Sequence, residues 1–229
     1  MDWWANVLLI AGGYLLGSAP LIHLLAARRG VDLRQVGSGN VGGSNLWQNV
    51  GPRVGALGAL ADILKGVLPV VLGRGLGFDL TVSAAAGVAA AAGQMWPVFL
   101  RFDGGRGNSA GLGMAIAASP VAFAIGLIPA TLGSVWKGLP ALLARRGAAT
   151  PERWRFRAQS RSVPLGLLGT FALLPLLSWL RDDPPGMTWA LLAVLALIVA
   201  RRLTAGLRDR SPQGPTALWD RLLFDRDRP

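Results

Sequence analysis

The sequence predicts an all-α membrane protein, a polytopic helix bundle of about seven transmembrane helices forming one integral domain over residues 1–229. Three observations lead there. Of the 229 residues, 52% are hydrophobic and only 15% charged, with a mean hydropathy of +0.44, whereas soluble domains carry about 25% charged residues. Apolar runs long enough to cross a hydrocarbon core of about 30 Å, roughly 20 residues each, recur along the whole chain. Arginines gather in the gaps between those runs.

Taken in order, the candidate spans cover residues 3–27, 54–72, 80–100, 109–126, 127–144, 163–180 and 187–200. Each is expected as a helix because lipid offers no partner to an unpaired backbone N–H or C=O. The fourth and fifth belong to one apolar tract, divided near Pro129 because an unbroken helix of that length would overshoot the bilayer. A five-span chain with a dipping segment at 109–144 gives the same loop sidedness. Alanine and glycine fill the spans, as at 84–93, and small residues let helices approach closely in lipid. The first segment lacks the basic flank and cleavage site of a signal peptide and is expected to be retained.

The chain has 21 arginines, and 19 of them fall in loops 28–53, 101–107 and 145–161 and in the basic tail 201–229. Positive loops stay on the cytoplasmic side. Seven spans therefore put the amino terminus outside, with the carboxyl terminus and both glycine-rich loops in the cytoplasm of a multi-pass cell-membrane protein. The net charge of +11 thus reads as topology, and no nucleic-acid partner is expected. The loop 145–161, with Trp154 and Phe156 among its arginines, fits anchoring to anionic lipid headgroups.

Composition also removes chemistry. The chain has no cysteine and a single histidine, His23, so thiolate nucleophiles, thiolate metal sites and multi-histidine centres are excluded. No metal or other cofactor is expected. Arg28 stands five residues after His23, so the His-x4-Asp pair of common glycerolipid acyltransferases is absent, and no Ser/His/Asp set assembles.

Two segments are shaped for anions. RQVGSGNVGGSNLWQNVG at 34–51 crowds Gly37, Gly39, Gly42 and Gly43 around Ser38 and Asn40. Glycine permits the backbone angles that turn successive N–H groups toward one phosphate. GQMWPVFLRFDGGRGNSAGLG at 93–113 sets Gly104, Gly105 and Gly107 around Arg106, just before a helix expected to start near Asn108 or Ser109. The free N–H groups and dipole of such a helix would favour phosphate further. Two such sites on one side suggest two phosphorylated substrates, or one substrate held twice. Asp62 and Lys65 share a helix face within the second span, either as functional intramembrane ions or as a structural pair. Gly37, Gly39 and Gly42, with Asp62 downstream, also satisfy a dinucleotide fingerprint. That reading fails for want of a buried strand before the loop.

GSGNVGGSNLWQNVG at 37–51, ADILKGVLPV at 61–70 and GQMWPVFLRFDGGRG at 93–107 resemble, in order and spacing, the bacterial acyl-phosphate:glycerol-3-phosphate acyltransferase family. The resemblance is strongest over residues 12–113. It implies a seven-helix enzyme of phospholipid biosynthesis that moves a fatty acyl group from acyl phosphate to glycerol 3-phosphate, giving lysophosphatidic acid at the membrane without a metal or direct use of acyl carrier protein. By motif position it implies Ser38, Asn40 and Arg106 as catalytic residues. Gly37, Gly39, Gly42, Ser44, Asn45, Lys65, Gly104, Gly105 and Gly107 would bind substrate phosphate. The chain departs from the family where an arginine gives way to Gln48, a histidine to Gln94, and two lysines to Asp103 and Arg106. In the tail, RRLTAG at 201–206 resembles an Arg-Leu-x-x-Gly motif, but Val199 and Arg208 replace Asn and Glu. Two alternatives stay open: a non-catalytic member that binds anionic lipid or a partner, and a small transporter of phosphorylated solutes.

Overall fold

The computed structural model describes residues 2–143, 162–204 and 218–224; the basic loop 145–161 and Arg208 lie outside them. Among the described residues the regular secondary structure is all helical, without strands. The helices are α1 (Trp3–Ser18), α2 (Leu21–Ala27), α3 (Gly43–Asn49), α4 (Pro52–Gly75), α5 (Leu80–Met95), α6 (Asn108–Ala118), α7 (Pro120–Gly126), α8 (Ile128–Leu143), α9 (Ser162–Leu180), α10 (Pro185–Thr204) and α11 (Leu218–Phe224). Among the described residues, five segments are long and apolar enough to cross a membrane: Trp3–Ala27, Pro52–Gly75, Leu80–Leu100, Ser162–Leu180 and Pro185–Thr204.

Local chemistry sets the boundaries. Pro20 lacks an N–H and pushes Ala19 out of the helical region, to φ −55° and ψ 123°. The first segment is therefore two helices meeting at an angle instead of one rod. Pro52 opens α4 at its first position, where its missing N–H costs nothing. Asp79 caps α5, accepting from the Val82 amide at 3.0 Å.

The apolar tract expected to divide near Pro129 divides earlier. Its break is at Ser119, φ −139° and ψ 77°, directly before Pro120. Pro129 is the second residue of α8, where proline is tolerated. Hydrogen bonds from Leu127 N–H to the Phe123 carbonyl and from Thr131 N–H to the Leu127 carbonyl carry the helical path across the α7–α8 joint. Within the tract α6 is thus only 11 residues long, and it turns into an antiparallel arm. Ser119 Oγ donates to Asp183, in the α9–α10 turn, at 2.7 Å. Gly126 meets Leu174, Ala130 N–H donates to Thr170 Oγ1 at 3.2 Å, and Gly133 meets Ser162. The α7–α8 arm therefore runs back beside α9.

Small residues make the helix contacts. A Cβ added at Gly13 or Gly17 would strike α5 carbonyls, and one at Gly66 or Gly113 would drive α4 and α6 apart. The polarity of α4 is inverted relative to a soluble helix. It buries Gly55, Gly58, Asp62, Lys65 and Gly66 and exposes Leu57, Leu60, Leu64, Leu68 and Leu72, the pattern of a helix whose outer face meets lipid. The core between α5, α6, α9 and α10 is built from Met95, Met114, Phe171, Leu174, Leu191, Val194 and Ile198. A second cluster, Ile22, Ala26, Leu33, Val41 and Leu46, holds the 28–42 loop against α2 and α3. Exposed Trp3, Trp4, Trp179 and Trp189 flank one end of the bundle, while Trp136 and Trp219 lie toward the other, as in interfacial aromatic belts.

Candidate functional site: two glycine loops over a buried ion pair

The first loop is organised by Asn45, which is buried on α3. Its Nδ2 lies 2.9, 3.1 and 3.0 Å from the carbonyls of Leu33, Val36 and Asn40, while its Oδ1 accepts from Ser38 N–H and from Asn49 Nδ2. Gly37, at φ +57°, is required twice over: its backbone is left-handed, and a Cβ would collide with the Asn45 amide. Asn45, expected to bind substrate phosphate, holds the loop in shape through its amide. Ser38 Oγ turns inward and accepts from Asn40 N–H at 3.4 Å. Ser44 is exposed on the first turn of α3.

The second loop closes over the end of α5. Gly104 N–H donates to the Met95 carbonyl at 3.3 Å and Gly105 N–H to the Gln94 carbonyl at 3.0 Å, satisfying acceptors that a helix terminus leaves open. In the first loop Gly39 N–H goes to Val36 and Gly42 N–H to Asn40. These four amides are engaged within the fold. The tight chain reversals that glycine allows also bring loop carbonyls within reach of the loop's own amides. Gly107 has φ +75°, and a Cβ there would enter Met95. Directly after it α6 begins at Asn108. Arg106 is buried and makes contacts within the protein.

The two loops meet. Arg34 Nη2 donates to the Asp103 carbonyl at 3.2 Å, and its Nε lies 3.6 Å from Asp103 Oδ2. A Cβ at Gly105 would fall 2.9 Å from the Val41 carbonyl and 3.9 Å from Asn40 Oδ1. That Oδ1 is buried and accepts no hydrogen bond from the described residues. A half-turn of the Asn40 amide exchanges acceptor for donor, so this position can meet either a hydroxyl or a phosphate oxygen.

Beneath the loops a small cleft runs into the bundle beside the α1–α2 break, reaching Ser18, His23, Asp62, Lys65, Gln94 and Gly104. Lys65 Nζ is 2.8 Å from Asp62 Oδ1, and both are buried. Gln94 Nε2 donates to Asp62 Oδ2, and Gln94 Oε1 accepts from Ala110 N–H at 3.3 Å. Lys65 is thus neutralised by a carboxylate at the cleft floor, and Gln94 joins α4, α5 and the first turn of α6. Ser18 Oγ is fully buried and has no partner among the described residues. Among those residues no three His, Asp or Glu side chains gather as a cation site.

Reading the sequence alone missed Arg201. From α10 its Nε donates to the Gly105 carbonyl at 3.1 Å and its Nη2 to the Gly104 carbonyl at 2.8 Å, with Asp103 Oδ1 at 3.4 Å. The signal available was Asp103 itself, an acid in a loop meant for anions, which calls for a cation close by. Its neighbour Arg202 serves the scaffold, donating to the carbonyls of Leu222 in α11 and Pro164 in α9 at 2.9 and 3.1 Å. Ser18 carried no such signal.

The glycerol-3-phosphate acyltransferase family model matches residues 7–144. Glycerol-3-phosphate acyltransferase 4 of Dehalococcoides mccartyi is 32% identical over 225 residues, covering 96% of this chain and 89% of the relative. Two crystal structures of PlsY, an integral membrane glycerol 3-phosphate acyltransferase, have similar folds. The glycerol 3-phosphate form matches with TM-score 0.72 and 29% identity, and the lysophosphatidic acid form with TM-score 0.67 and 28% identity; each match covers 86% of this chain and 88% of the other. With the paired glycine loops at one end of a lipid-facing bundle, these matches establish that the chain belongs to the glycerol-3-phosphate acyltransferase family.

Proposed function

We propose that this protein transfers a fatty acyl group from acyl phosphate to a hydroxyl of glycerol 3-phosphate, releasing lysophosphatidic acid and inorganic phosphate. The observation that carries the reading is the meeting of the two glycine loops above one cleft floored by the Asp62–Lys65 pair, with Asn40 Oδ1 buried at their contact and without a partner among the described residues. Two phosphate-bearing substrates then sit side by side. The acceptor oxygen attacks the acyl carbon, the carbon–oxygen bond to phosphate breaks, and the electron pair leaves with the phosphate. A phosphate group titrates near neutrality, so the departing group itself can take the hydroxyl proton, and the protein's part is alignment and charge stabilisation. Ser38 and Asn40 orient the acceptor. Arg106 supplies positive charge to a phosphate, with 104–107 as its backbone frame. Asn45 acts by holding the first loop in shape, and Lys65 by fixing the cleft floor with Asp62.

In the membrane, α6 and the α7–α8 arm complete seven passes with the five long spans. The amino terminus is then outside, and both glycine loops and the carboxyl terminus are cytoplasmic, as the arginine distribution supports. The test is to purify the protein in detergent, supply palmitoyl phosphate and glycerol 3-phosphate, and follow lysophosphatidic acid and phosphate release. Ser38→Ala is expected to cut turnover by about 10²-fold or more while the protein remains folded. Arg106→Ala raises KM for a phosphorylated substrate. A non-catalytic anionic-lipid binder is the second reading, favoured by the internal engagement of the Gly39, Gly42, Gly104 and Gly105 amides. Lipid binding without product selects it.

A further inference from the structure

Asp103 lies between two arginines that reach it from distant parts of the chain. Arg34 comes from the first glycine loop and touches both its carbonyl and its carboxylate, at 3.2 and 3.6 Å. Arg201 comes from α10, reaches the carboxylate at 3.4 Å, and continues along the loop to the carbonyls of Gly104 and Gly105. Immediately upstream, Arg101 and Phe102 have φ +55° and +62°. Two successive bulky residues in the left-handed region form a strained reversal that persists only when its surroundings hold it. No glycine relieves it, and the loop leaves the reversal directly into Asp103.

We propose that Asp103 is a positioning residue, an electrostatic strap that draws Arg34 and Arg201 together across the second glycine loop and so holds 104–106 in register with Asn40. It acts through the loop and has no contact with the reacting atoms in this scheme. Without the carboxylate the two guanidiniums repel across the loop, and the strained reversal is free to relax. The amides of Gly104 and Gly105 then separate from the end of α5. This assignment rests on the acyl-transfer reading for its kinetic consequence, but its structural part can be measured alone.

The sign of the kinetic effect separates positioning from charge tuning. Asp103→Asn makes the site more positive, so attraction alone would lower KM for the glycerol 3-phosphate dianion. The strap predicts the opposite: KM rises about fivefold, by more than kcat falls, because an exposed pair contributes modestly. Asp103→Glu restores most of the loss. In hydrogen–deuterium exchange on the full-length protein in detergent, the Gly104 and Gly105 amides exchange about tenfold faster in Asp103→Asn than in the parent. An unchanged exchange rate, or a KM that falls or stays constant, overturns the strap. Equal loss of kcat and thermal stability at constant KM also overturns it, reducing Asp103 to general scaffold. If the parent protein shows no turnover, the acyl-transfer reading fails, and exchange alone then decides whether Asp103 holds the loop.

Discussion

Replacing Lys65 by methionine tests the buried pair at the floor of the cleft. Lys65 Nζ and Asp62 Oδ1 are 2.8 Å apart, with side chains 6% and 2% exposed, and at an effective dielectric of about 20 their attraction is about 6 kcal/mol before desolvation is subtracted. Removing one partner strands the other charge, which typically costs about 3–5 kcal/mol. Gln94 Nε2 still donates to Asp62, so the lower half of that range is expected. For a chain of this size, about 3 kcal/mol corresponds to a fall in Tm of roughly 6–12 °C. Thermal unfolding in detergent, followed by intrinsic fluorescence from the nine tryptophans, reads the shift. Adding Asp62→Asn to Lys65→Met leaves no charge, and the new amide oxygen can still accept from Gln94, so most of the loss is recovered. If the single variant melts within about 2 °C of the parent, or the double variant is no better than the single, then the pair is not a structural unit and Lys65 belongs with the substrate.

Asn45→Ala removes the contacts that gather Leu33, Val36, Ser38, Asn40 and Asn49; we expect a loss of about 2–3 kcal/mol, with fast proteolysis in 33–42 and turnover falling with it. Limited proteolysis alongside the acyl-transfer assay checks this. Gly66→Val drives a side chain into the Ala110 carbonyl and the Met114 amide, separating α4 from α6. The protein should then lose the monodisperse gel-filtration peak that Gly75→Val, at a position with open space, retains.

The bundle could be read from the sequence because lipid imposes a simple rule: long apolar runs become helices, and arginine loops share a side. The Asp62 and Lys65 pair was legible from its spacing of three, and the start of α6 from the glycines ahead of it. The break at Ser119 was not, because Pro120 and Pro129 offer the same local signal. The choice between them is made by Asp183, whose carboxylate receives Ser119 Oγ from 64 residues away. The glycine loops were recognisable as sites of close approach, yet composition could not say which groups would approach. Their amides serve the end of α5 and neighbouring turns. Arg201 was hidden for a related reason: 96 residues separate it from the carbonyl it binds, and arginine just past an apolar run ordinarily marks nothing more than an interface.

Gln94 meets Asp62 ten residues along α4 from Pro52, about 15 Å at 1.5 Å per residue. The cleft floor therefore lies about 15 Å from the start of that helix, beneath the two glycine loops. On the proposed acyl-transfer reading, a donor carrying a fatty tail would approach between the helices, while the water-soluble acceptor would enter past the loops. The depth of the pair below the start of α4 is fixed by the fold, and so does not change with the thickness of the surrounding bilayer.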